Sequence, residues 1–272
     1  MTALSSYKIL LSTGSLFHLP LKEIFLIARR TGFDGCDLVI QRHLDNEEYR
    51  DTLRESLSIL PAFALHVPFE KLRSWGNQVQ ALMKSVSLAD EFGIPVVNFH
   101  PPSWFHLEIG FLRWFRKVRD FQTELGCGRV CVALENMPLV GEEIKRRPYM
   151  LNNFKDMIRF GVERNLYFTL DTTHLATFEH DSIAAFLDYQ RTGRLKHIHM
   201  SDYASDRSHL FPGEGDLPLA RLLETVHAAG YDGAISLEVA PAELPREQER
   251  QETLLRAASA FLKGPRGGEN VG

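Results

Sequence analysis

Several apolar stretches of the chain end in a side chain that could bind a metal ion or move a proton. The clearest are VCVALENMP, YFTLDTTHLA, KHIHMSDY and AISLEVAP, which carry Glu135, Asp171, His199 and Glu238. Three carboxylates and one imidazole form a donor set that suits Mn²⁺, Mg²⁺ or Co²⁺, with Zn²⁺ as an alternative. Because a carboxylate is costly to bury without a partner, the pattern predicts that these four residues bind one divalent metal.

The two glutamates of this set could also transfer protons. A metal that bridges two adjacent oxygens of a sugar would polarise the carbonyl group and acidify the neighbouring C–H bond. If Glu135 and Glu238 lie on opposite sides of that carbon, one can remove a proton while the other returns one. The expected reaction is therefore that of an isomerase or an epimerase.

Four further histidines could reach the same region. They are His66 in FALHVPF, His100 in VVNFHPP, His174 in LDTTH and His209 in the glycine-rich segment HLFPGEG. Each could bind a second metal, contact the substrate or pack in the core, and the backbone amides near His209 could hold a phosphate or a hydroxyl group. The sequence therefore leaves open whether a second or third metal lies beside the first.

One strand carries two histidines, His197 and His199, and only one of them is assigned to the metal set. We expect their side chains to point to opposite faces, with His199 inward because it precedes Ser201 at the end of the strand. Supporting or structural hydrogen bonds are expected from Asp37, Asn98, Asn136 and Asp202.

Strand-like and helix-like patterns alternate along the chain and would bring the ligand residues together. Strands are predicted at KILLSTGS, GCDLVI, FALHVPF, VVNFH, VCVALEN, YFTLDTT, KHIHMSD and AISLEVA, each followed by a helical pattern. Eight such units predict an α/β fold, a single (β/α)8 TIM barrel with its active site at the C-terminal mouth of the strands. The barrel is expected over residues 1–263, with a disordered tail over residues 264–272. The aromatic fourth helix is predicted to reach about Leu125, and the two G-[FY]-D-G segments are predicted to be tight turns.

The composition is that of an ordinary globular protein. The chain has 272 residues, 44% of them hydrophobic, and a formal net charge of -4, which does not favour binding to nucleic acid or to an anionic membrane. Its three cysteines have no disulfide-framework spacing, and its N-terminal sequence does not resemble a signal peptide. A cytoplasmic location is therefore expected, without a membrane partner.

The order and spacing of five short motifs resemble those of the xylose isomerase-like TIM barrel superfamily, the sugar phosphate isomerase and epimerase group. These motifs are ALEN, LDTTH, HIHMSD, PGEGD and SLEV. The resemblance spans nearly the whole chain. It implies that Glu135, Asp171, His199 and Glu238 bind the divalent metal, that both glutamates act as acid and base, and that His174 contacts the substrate. A small sugar, a sugar phosphate or a hydroxy-ketone is the implied substrate.

The same superfamily contains endonuclease IV-type apurinic-site nucleases, which use three zinc ions. Their additional ligands resemble His66, His100, His174 and His209 of this chain. Two departures weaken this alternative, because Arg207 stands where the nucleases have an aspartate and the stretch VPFEKLRSW does not resemble their DNA-contacting segment. A metal-dependent isomerase or epimerase is the leading hypothesis, a zinc-dependent phosphodiesterase is the alternative, and a non-enzymatic binding module is a third.

Overall fold

Eight parallel strands close into a barrel in the computed structural model, which describes residues 7–104, 107–140, 146–151, 153–178, 180–205 and 207–264. The elements in chain order are β1 Lys8–Ser12, α1 Leu21–Arg30, β2 Gly35–Val39, α2 Tyr49–Leu57, β3 Ala62–His66, α3 Gln78–Phe92, β4 Val96–Phe99, α4 Ile109–Lys117, β5 Cys131–Glu135, α5 Phe154–Glu163, β6 Tyr167–Asp171, α6 Thr172–Ala176, α7 Ser182–Arg191, β7 Leu195–Met200, β8 Asp202–Ala204, β9 Arg207–Leu210, α8 Leu219–Ala228, β10 Ala234–Leu237 and α9 Gln248–Leu262.

The strand order around the barrel is β1, β2, β3, β4, β5, β6, β7 and β10, and β10 pairs with β1 to close it. The predicted (β/α)8 TIM barrel is thus confirmed, and all eight predicted strands are present. In this fold the loops that follow the strands meet at one mouth. Most of the predicted ligand residues are the last residues of strands or follow them directly, so the fold gathers them at that mouth.

The inner face of the barrel changes from apolar to polar along its strands. A lower layer of buried apolar side chains is formed by Leu10, Ala64, Val96, Ala133 and Ala234. Because alternate residues of a strand share a face, the next inward position on each strand lies two residues further on. Those positions are occupied by Ser12, His66, Asn98, Glu135 and Ser236, all of them polar and buried.

The turns that lead into strands are built on glycine, as the two G-[FY]-D-G segments predict. Gly32 and Gly230 have φ angles of 83° and 63°, the left-handed conformation that ends a helix at low cost in glycine. At the second glycine of the later segment, Gly233, a Cβ atom would lie 2.5 Å from the carbonyl oxygen of Lys196. These segments therefore serve the fold at the end of the barrel opposite the ligand residues.

Several local predictions need correction or remain open. The aromatic helix does not reach Leu125, because α4 ends at Lys117 and Val118 has extended backbone angles of -60° and 126°. The short helix α6 and the antiparallel hairpin of β8 and β9 were not predicted. Apart from Gly264, the predicted disordered tail lies outside the described residues. No helix in the described ranges combines the length and the apolar character that a membrane crossing requires.

Candidate active site

The four residues predicted to bind one metal lie together at the mouth of the barrel. Glu135 and Asp171 end β5 and β6, His199 is the next-to-last residue of β7, and Glu238 follows β10 directly. One ligand atom of each residue lies within 4.8 Å of the others. The Nδ1 atom of His199 lies 2.9 Å from Glu238 Oε2, 3.2 Å from Glu135 Oε1 and 3.7 Å from Asp171 Oδ2. A single imidazole nitrogen thus faces three carboxylates.

The four residues differ in their access to solvent. Glu135, Asp171 and His199 are buried, whereas the side chain of Glu238 keeps 22% of its surface exposed. Glu238 is therefore the member of the set that a small molecule entering the mouth would meet first.

Hydrogen bonds from neighbouring strands hold two of the carboxylates in place. Asn98 Nδ2 donates to Glu135 Oε2 at 2.5 Å. Asp171 Oδ1 accepts from the backbone amide of His174 at 2.7 Å and so caps α6, while Asp171 Oδ2 is buried without a hydrogen-bond partner among the described residues. Asn136 exchanges two hydrogen bonds with the backbone of Asp171, at 2.8 and 3.0 Å. The supporting roles predicted for Asn98 and Asn136 are thus borne out by their contacts.

The charges of the set shift the pKa values of its members strongly. Burial alone would raise the pKa of Glu135, but the charge of His199 and hydrogen bonds from His100, His174 and His199 hold it well below its usual value. Burial would also raise the pKa of Glu238, but the charge of His199, its hydrogen bond and the charge of His209 together lower it. Burial would lower the pKa of His199, but Glu238 and Glu135 raise it well above its ordinary value. Three adjacent carboxylates thus need a positive charge among them, which an imidazolium or a divalent cation can supply.

The donor atoms present fit a divalent metal. An unpaired buried carboxylate is costly, and the Oδ2 atom of Asp171 lies 3.7 Å from His199 Nδ1 without a hydrogen bond from any described residue. Mixed oxygen and imidazole donors are those that Mn²⁺, Mg²⁺, Co²⁺ and Zn²⁺ accept.

A second candidate set shares Glu135 and includes two of the additional histidines. His66 Nε2 lies 3.1 Å from His100 Nε2 and 3.4 Å from Glu135 Oε2, and His100 Nε2 lies 3.6 Å from the same oxygen. His66 Nδ1 donates to the carbonyl oxygen of Val67 at 2.7 Å, which directs Nε2 toward Glu135. His66, His100 and Glu135 together could hold a second cation.

The other two additional histidines lie beside Asp171. His174 Nδ1 donates to the carbonyl oxygen of Asn136 at 2.9 Å and lies 3.3 Å from Glu135 Oε1. Burial would lower the pKa of His174, but the charge of Asp171 and a hydrogen bond with Glu135 raise it to about 9. His209 joins His174 and Asp171 in a third possible ligand group, and its φ of 59° is a left-handed angle that residues with a side chain rarely adopt.

The predicted orientation of His197 was wrong. His197 and His199 both point into the barrel, with ring centroids 4.6 Å apart. The reason is the two-residue period of a strand, which places residues i and i+2 on the same face. His197 Nε2 lies 2.6 Å from the hydroxyl of Ser236, and burial lowers the pKa of His197 to about 4. His197 is therefore a neutral group beneath the ligand set.

Asp37 and Asp202 were both expected to make supporting or structural hydrogen bonds, and only Asp202 does so. Asp202 accepts hydrogen bonds from the backbone amides of Tyr203, Gly213 and Leu217 and closes the segment after β7. The Gly213 and Leu217 amides are thereby engaged within the protein, which weakens the expectation that this loop holds a phosphate. Asp37 is buried in the barrel, and neither of its carboxylate oxygens has a hydrogen-bond partner among the described residues.

Sequence reasoning therefore underestimated Asp37, which forms a further potential ligand group with His197 and His199. A carboxylate within the apolar run CDLVI is the same signal that identified Glu135. It was missed because Asp37 lies in the middle of its strand rather than at the end.

A cleft of about 930 Å³ adjoins the ligand residues on the side of His100. It lies between the segments that follow β3 and β4, and its walls include Phe69, Trp75, Phe111 and Tyr149. The Phe69 ring is 61% exposed and stacks on His100 at a centroid distance of 6.2 Å. The mouth thus offers an aromatic surface next to its polar donors.

Comparisons with known proteins agree with this architecture. A family model described as xylose isomerase-like TIM barrel matches residues 25–263. An uncharacterized protein of Mycobacterium leprae is 26% identical over 283 residues, covering 94% of this chain and 96% of that protein.

Three solved structures share the fold at low sequence identity. A D-tagatose 3-epimerase-like protein has a TM-score of 0.69 at 20% identity, covering 94% of this chain and 98% of its own. An L-ribulose 3-epimerase has a TM-score of 0.67 at 18% identity, covering 94% and 93%. A probable 3-DHS dehydratase, AsbF of Bacillus anthracis, has a TM-score of 0.67 at 17% identity, covering 94% and 99%.

Proposed function

The chain belongs to the xylose isomerase-like TIM barrel family, and from this membership and the geometry of its ligand set we propose that it is a divalent-metal-dependent isomerase or epimerase. Its substrate is a small sugar, a sugar phosphate or a related hydroxy-ketone. Two structural neighbours are named as sugar epimerases or as similar to one, which supports this class of reaction.

The observation that carries the proposal is the contrast between the four ligands. Three of them are buried and held by the protein, while Glu238 reaches the open mouth and yet lies 2.9 Å from His199. A metal held by Glu135, Asp171, His199 and Glu238 would polarise a substrate carbonyl and lower the pKa of the adjacent C–H bond. A carboxylate that is both near the metal and open to solvent is placed to remove that proton.

The two glutamates divide the proton transfer between them. Glu238 follows β10 and Glu135 ends β5, and these strands are separated by β7 and β6 around the barrel, so the two carboxylates approach the centre of the mouth from different directions. Glu238 would remove the proton from one face of the substrate carbon, and Glu135, protonated beforehand from solvent, would deliver a proton to the other face. Both carboxylates would then return to their starting states by proton exchange with solvent. Asn98 holds Glu135 through its hydrogen bond, which fixes the direction of that second transfer.

The remaining residues near the set position the substrate. His174 lies beside Glu135 with its Nδ1 atom bonded to a backbone carbonyl, which leaves its Nε2 atom able to contact a substrate hydroxyl. Phe69 offers an exposed ring face on which the apolar side of a sugar can stack.

The three cysteines are free, which is consistent with the cytoplasmic location that we propose.

Exchange of substrate protons with solvent tests the proposed chemistry directly. The metal-free protein and the protein reconstituted with Mn²⁺, Mg²⁺, Co²⁺ or Zn²⁺ are incubated in D₂O with a panel of ketopentoses, ketohexoses and their phosphates. We expect deuterium to appear at the carbon next to the carbonyl only with the metal-loaded protein. If no substrate of this class exchanges with any of the metals, the proposed reaction is wrong.

A second candidate function is a zinc-dependent phosphodiesterase, and the geometry of His66, His100 and Glu135 is the observation that favours it. This group could hold a second cation next to the first, and Asp171, His174 and His209 could hold a third. Arg207, which replaces an aspartate of the nuclease pattern, forms an ion pair with Glu243 at 3.0 Å and provides no ligand.

Metal content and nuclease activity separate the two functions. An isomerase or epimerase is expected to hold one tightly bound divalent metal, while two or three zinc ions per chain would favour the phosphodiesterase. Zinc-dependent cleavage of an abasic-site DNA duplex by the purified protein would establish the second function in place of the first.

A further inference from the structure

Asp37 is a buried carboxylate that the proposed reaction does not use. It is the central residue of β2, has no solvent exposure, and neither of its oxygens accepts a hydrogen bond from the described residues. Such a group is unfavourable by several kcal/mol unless an opposite charge or a donor compensates it. We therefore expect Asp37 to have a positively charged or hydrogen-bond-donating partner inside the barrel.

His199 is the group that faces Asp37 across the barrel. Asp37 Oδ2 lies 3.2 Å from His199 Nε2, within ion-pair distance although the angle is not that of a hydrogen bond. The other nearby imidazole, His197, has its Nε2 atom 3.8 Å from the same oxygen and is already bonded to Ser236 at 2.6 Å. His199 is thus the closer partner, and its Nε2 atom makes no hydrogen bond within the described part of the chain.

The two nitrogens of His199 face opposite ways. Its Nδ1 atom points at Glu238, Glu135 and Asp171, and its Nε2 atom points at Asp37. A neutral imidazole carries one hydrogen, so a proton held on Nε2 leaves the lone pair of Nδ1 available to a metal. A carboxylate behind a metal-binding histidine fixes both the tautomer and the orientation of the ring.

We propose that Asp37 is a positioning residue that holds the His199 hydrogen on Nε2 and thereby directs Nδ1 at the metal. The inference rests on the metal site of the proposed function. It adds a determinant of metal affinity that lies on β2, a strand that provides no member of the four-residue set.

Metal affinity tests the proposal without reference to catalysis. Mn²⁺ binding to the metal-free protein is measured by calorimetry for the wild type, for Asp37→Asn and for Asp202→Asn. We expect Asp37→Asn to weaken binding by roughly 10- to 100-fold with an unchanged stoichiometry. Asp202→Asn removes a buried carboxylate whose hydrogen bonds with the described residues come from backbone amides of the segment after β7, so it should leave the affinity within about twofold of the wild type.

A spectroscopic measurement on the wild type covers the case in which Asp37→Asn does not fold. The protein is labelled with ¹⁵N-histidine and loaded with diamagnetic Zn²⁺, and the His199 ring is assigned by through-bond correlation. The expected signature is a slowly exchanging hydrogen on Nε2 and none on Nδ1. Ligation of the metal through Nδ1 by itself places the hydrogen on Nε2, so the diagnostic part of the signature is its slow exchange and strong downfield shift, which an ion pair with Asp37 predicts and a residue that only fills space does not.

The outcomes separate this inference from the proposed function. An affinity of Asp37→Asn within twofold of the wild type, an equal loss in Asp202→Asn, or a hydrogen on Nδ1 overturns the role of Asp37 alone. If the wild type binds two metal ions per chain and Asp37→Asn binds only one, the inference is also wrong, because Asp37 would then be a metal ligand itself. A wild type that binds no divalent metal overturns both.

Discussion

The lower and upper layers of the barrel interior are built on the same strands but have opposite chemistry. On β5 the lower layer has Ala133 and the upper layer has Glu135, and on β3 the corresponding pair is Ala64 and His66. In each pair the residues are two positions apart and share the inner face. The lower residues form an apolar cluster. The upper layer, in which we include the mouth residues Asp171, His174, His199 and Glu238, has buried polar atoms without hydrogen-bond partners among the described residues.

This difference separates stability from function within one structural unit. Apolar side chains that fill the lower layer contribute free energy of folding by burial. Buried carboxylates in the upper layer oppose folding unless they are compensated, so their presence there needs another reason. If folding were the only requirement, apolar side chains like those of the lower layer could also occupy the positions near the mouth. The predictions below test whether the two layers are independent, beginning with the largest expected effect.

Replacing the exposed glutamate of the upper layer should abolish most of the activity without harming the fold. Glu238→Gln keeps the size of the side chain but removes the base, so we expect deuterium exchange to slow by about 10³-fold. The protein should stay folded, with an unfolding free energy somewhat below that of the wild type in the absence of metal, because the ionised Glu238 that pairs with His199 is lost. Glu249→Gln on the surface of α9 is the matched control and should retain full activity. Full exchange activity in Glu238→Gln would disprove the acid and base assignment.

Cutting a side chain in the lower layer should have the reverse effect. Leu10 is fully buried in that layer, so Leu10→Ala should lower the unfolding free energy by about 2–5 kcal/mol. Activity per folded molecule, measured well below the unfolding temperature, should remain close to that of the wild type. A large loss of activity in the folded variant would show that the two layers are coupled.

Metal should stabilise the upper layer specifically. At a concentration of about 100 times its dissociation constant, Mn²⁺ should raise the unfolding free energy by about 2.7 kcal/mol, because it binds the folded chain only. Thermal unfolding with and without the metal measures the effect. Asp171→Asn should lose most of the stabilisation by the metal. Leu10→Ala should keep all of it, although its unfolding free energy without metal is lower than that of the wild type. Equal stabilisation of the wild type and Asp171→Asn would remove Asp171 from the ligand set.

Much of this architecture could be read from the sequence, because local patterns determine it. Each strand is an apolar run, and each predicted ligand ends such a run, so the barrel and the meeting of Glu135, Asp171, His199 and Glu238 followed from the eight units. The break after α4 could not be foreseen in the same way. It depends on Val118 taking an extended conformation between two segments that are both apolar and aromatic.

The contacts across the barrel interior were the hardest feature to predict from the sequence. The distance between Asp37 and His199 depends on the register of strands that are not neighbours, which no local pattern encodes. The orientation of His197 is a different case, because the two-residue period of a strand already predicts that it shares a face with His199. Its assignment to the opposite face was an error of inference rather than a limit of the sequence.

The smallest predicted effect uses pH to distinguish the two layers in the metal-free protein. Burial would lower the pKa of His174, but the charge of Asp171, together with Glu135 and Glu238, raises it to about 9, while an unfolded histidine titrates near 6.5. A raised pKa in the folded state stabilises the protein fully below about pH 6.5, and that contribution is lost as the pH rises through about 9. Urea unfolding with a chelator present should therefore show a decline in stability between these values.

His174→Gln should flatten the decline, although the raised pKa of His199 will leave part of it. Leu10→Ala should decline in parallel with the wild type, since the lower layer contains no group that titrates there. Equal slopes in His174→Gln and the wild type would mean that His174 is not charged in the folded protein, and that the upper layer is compensated by His199 alone.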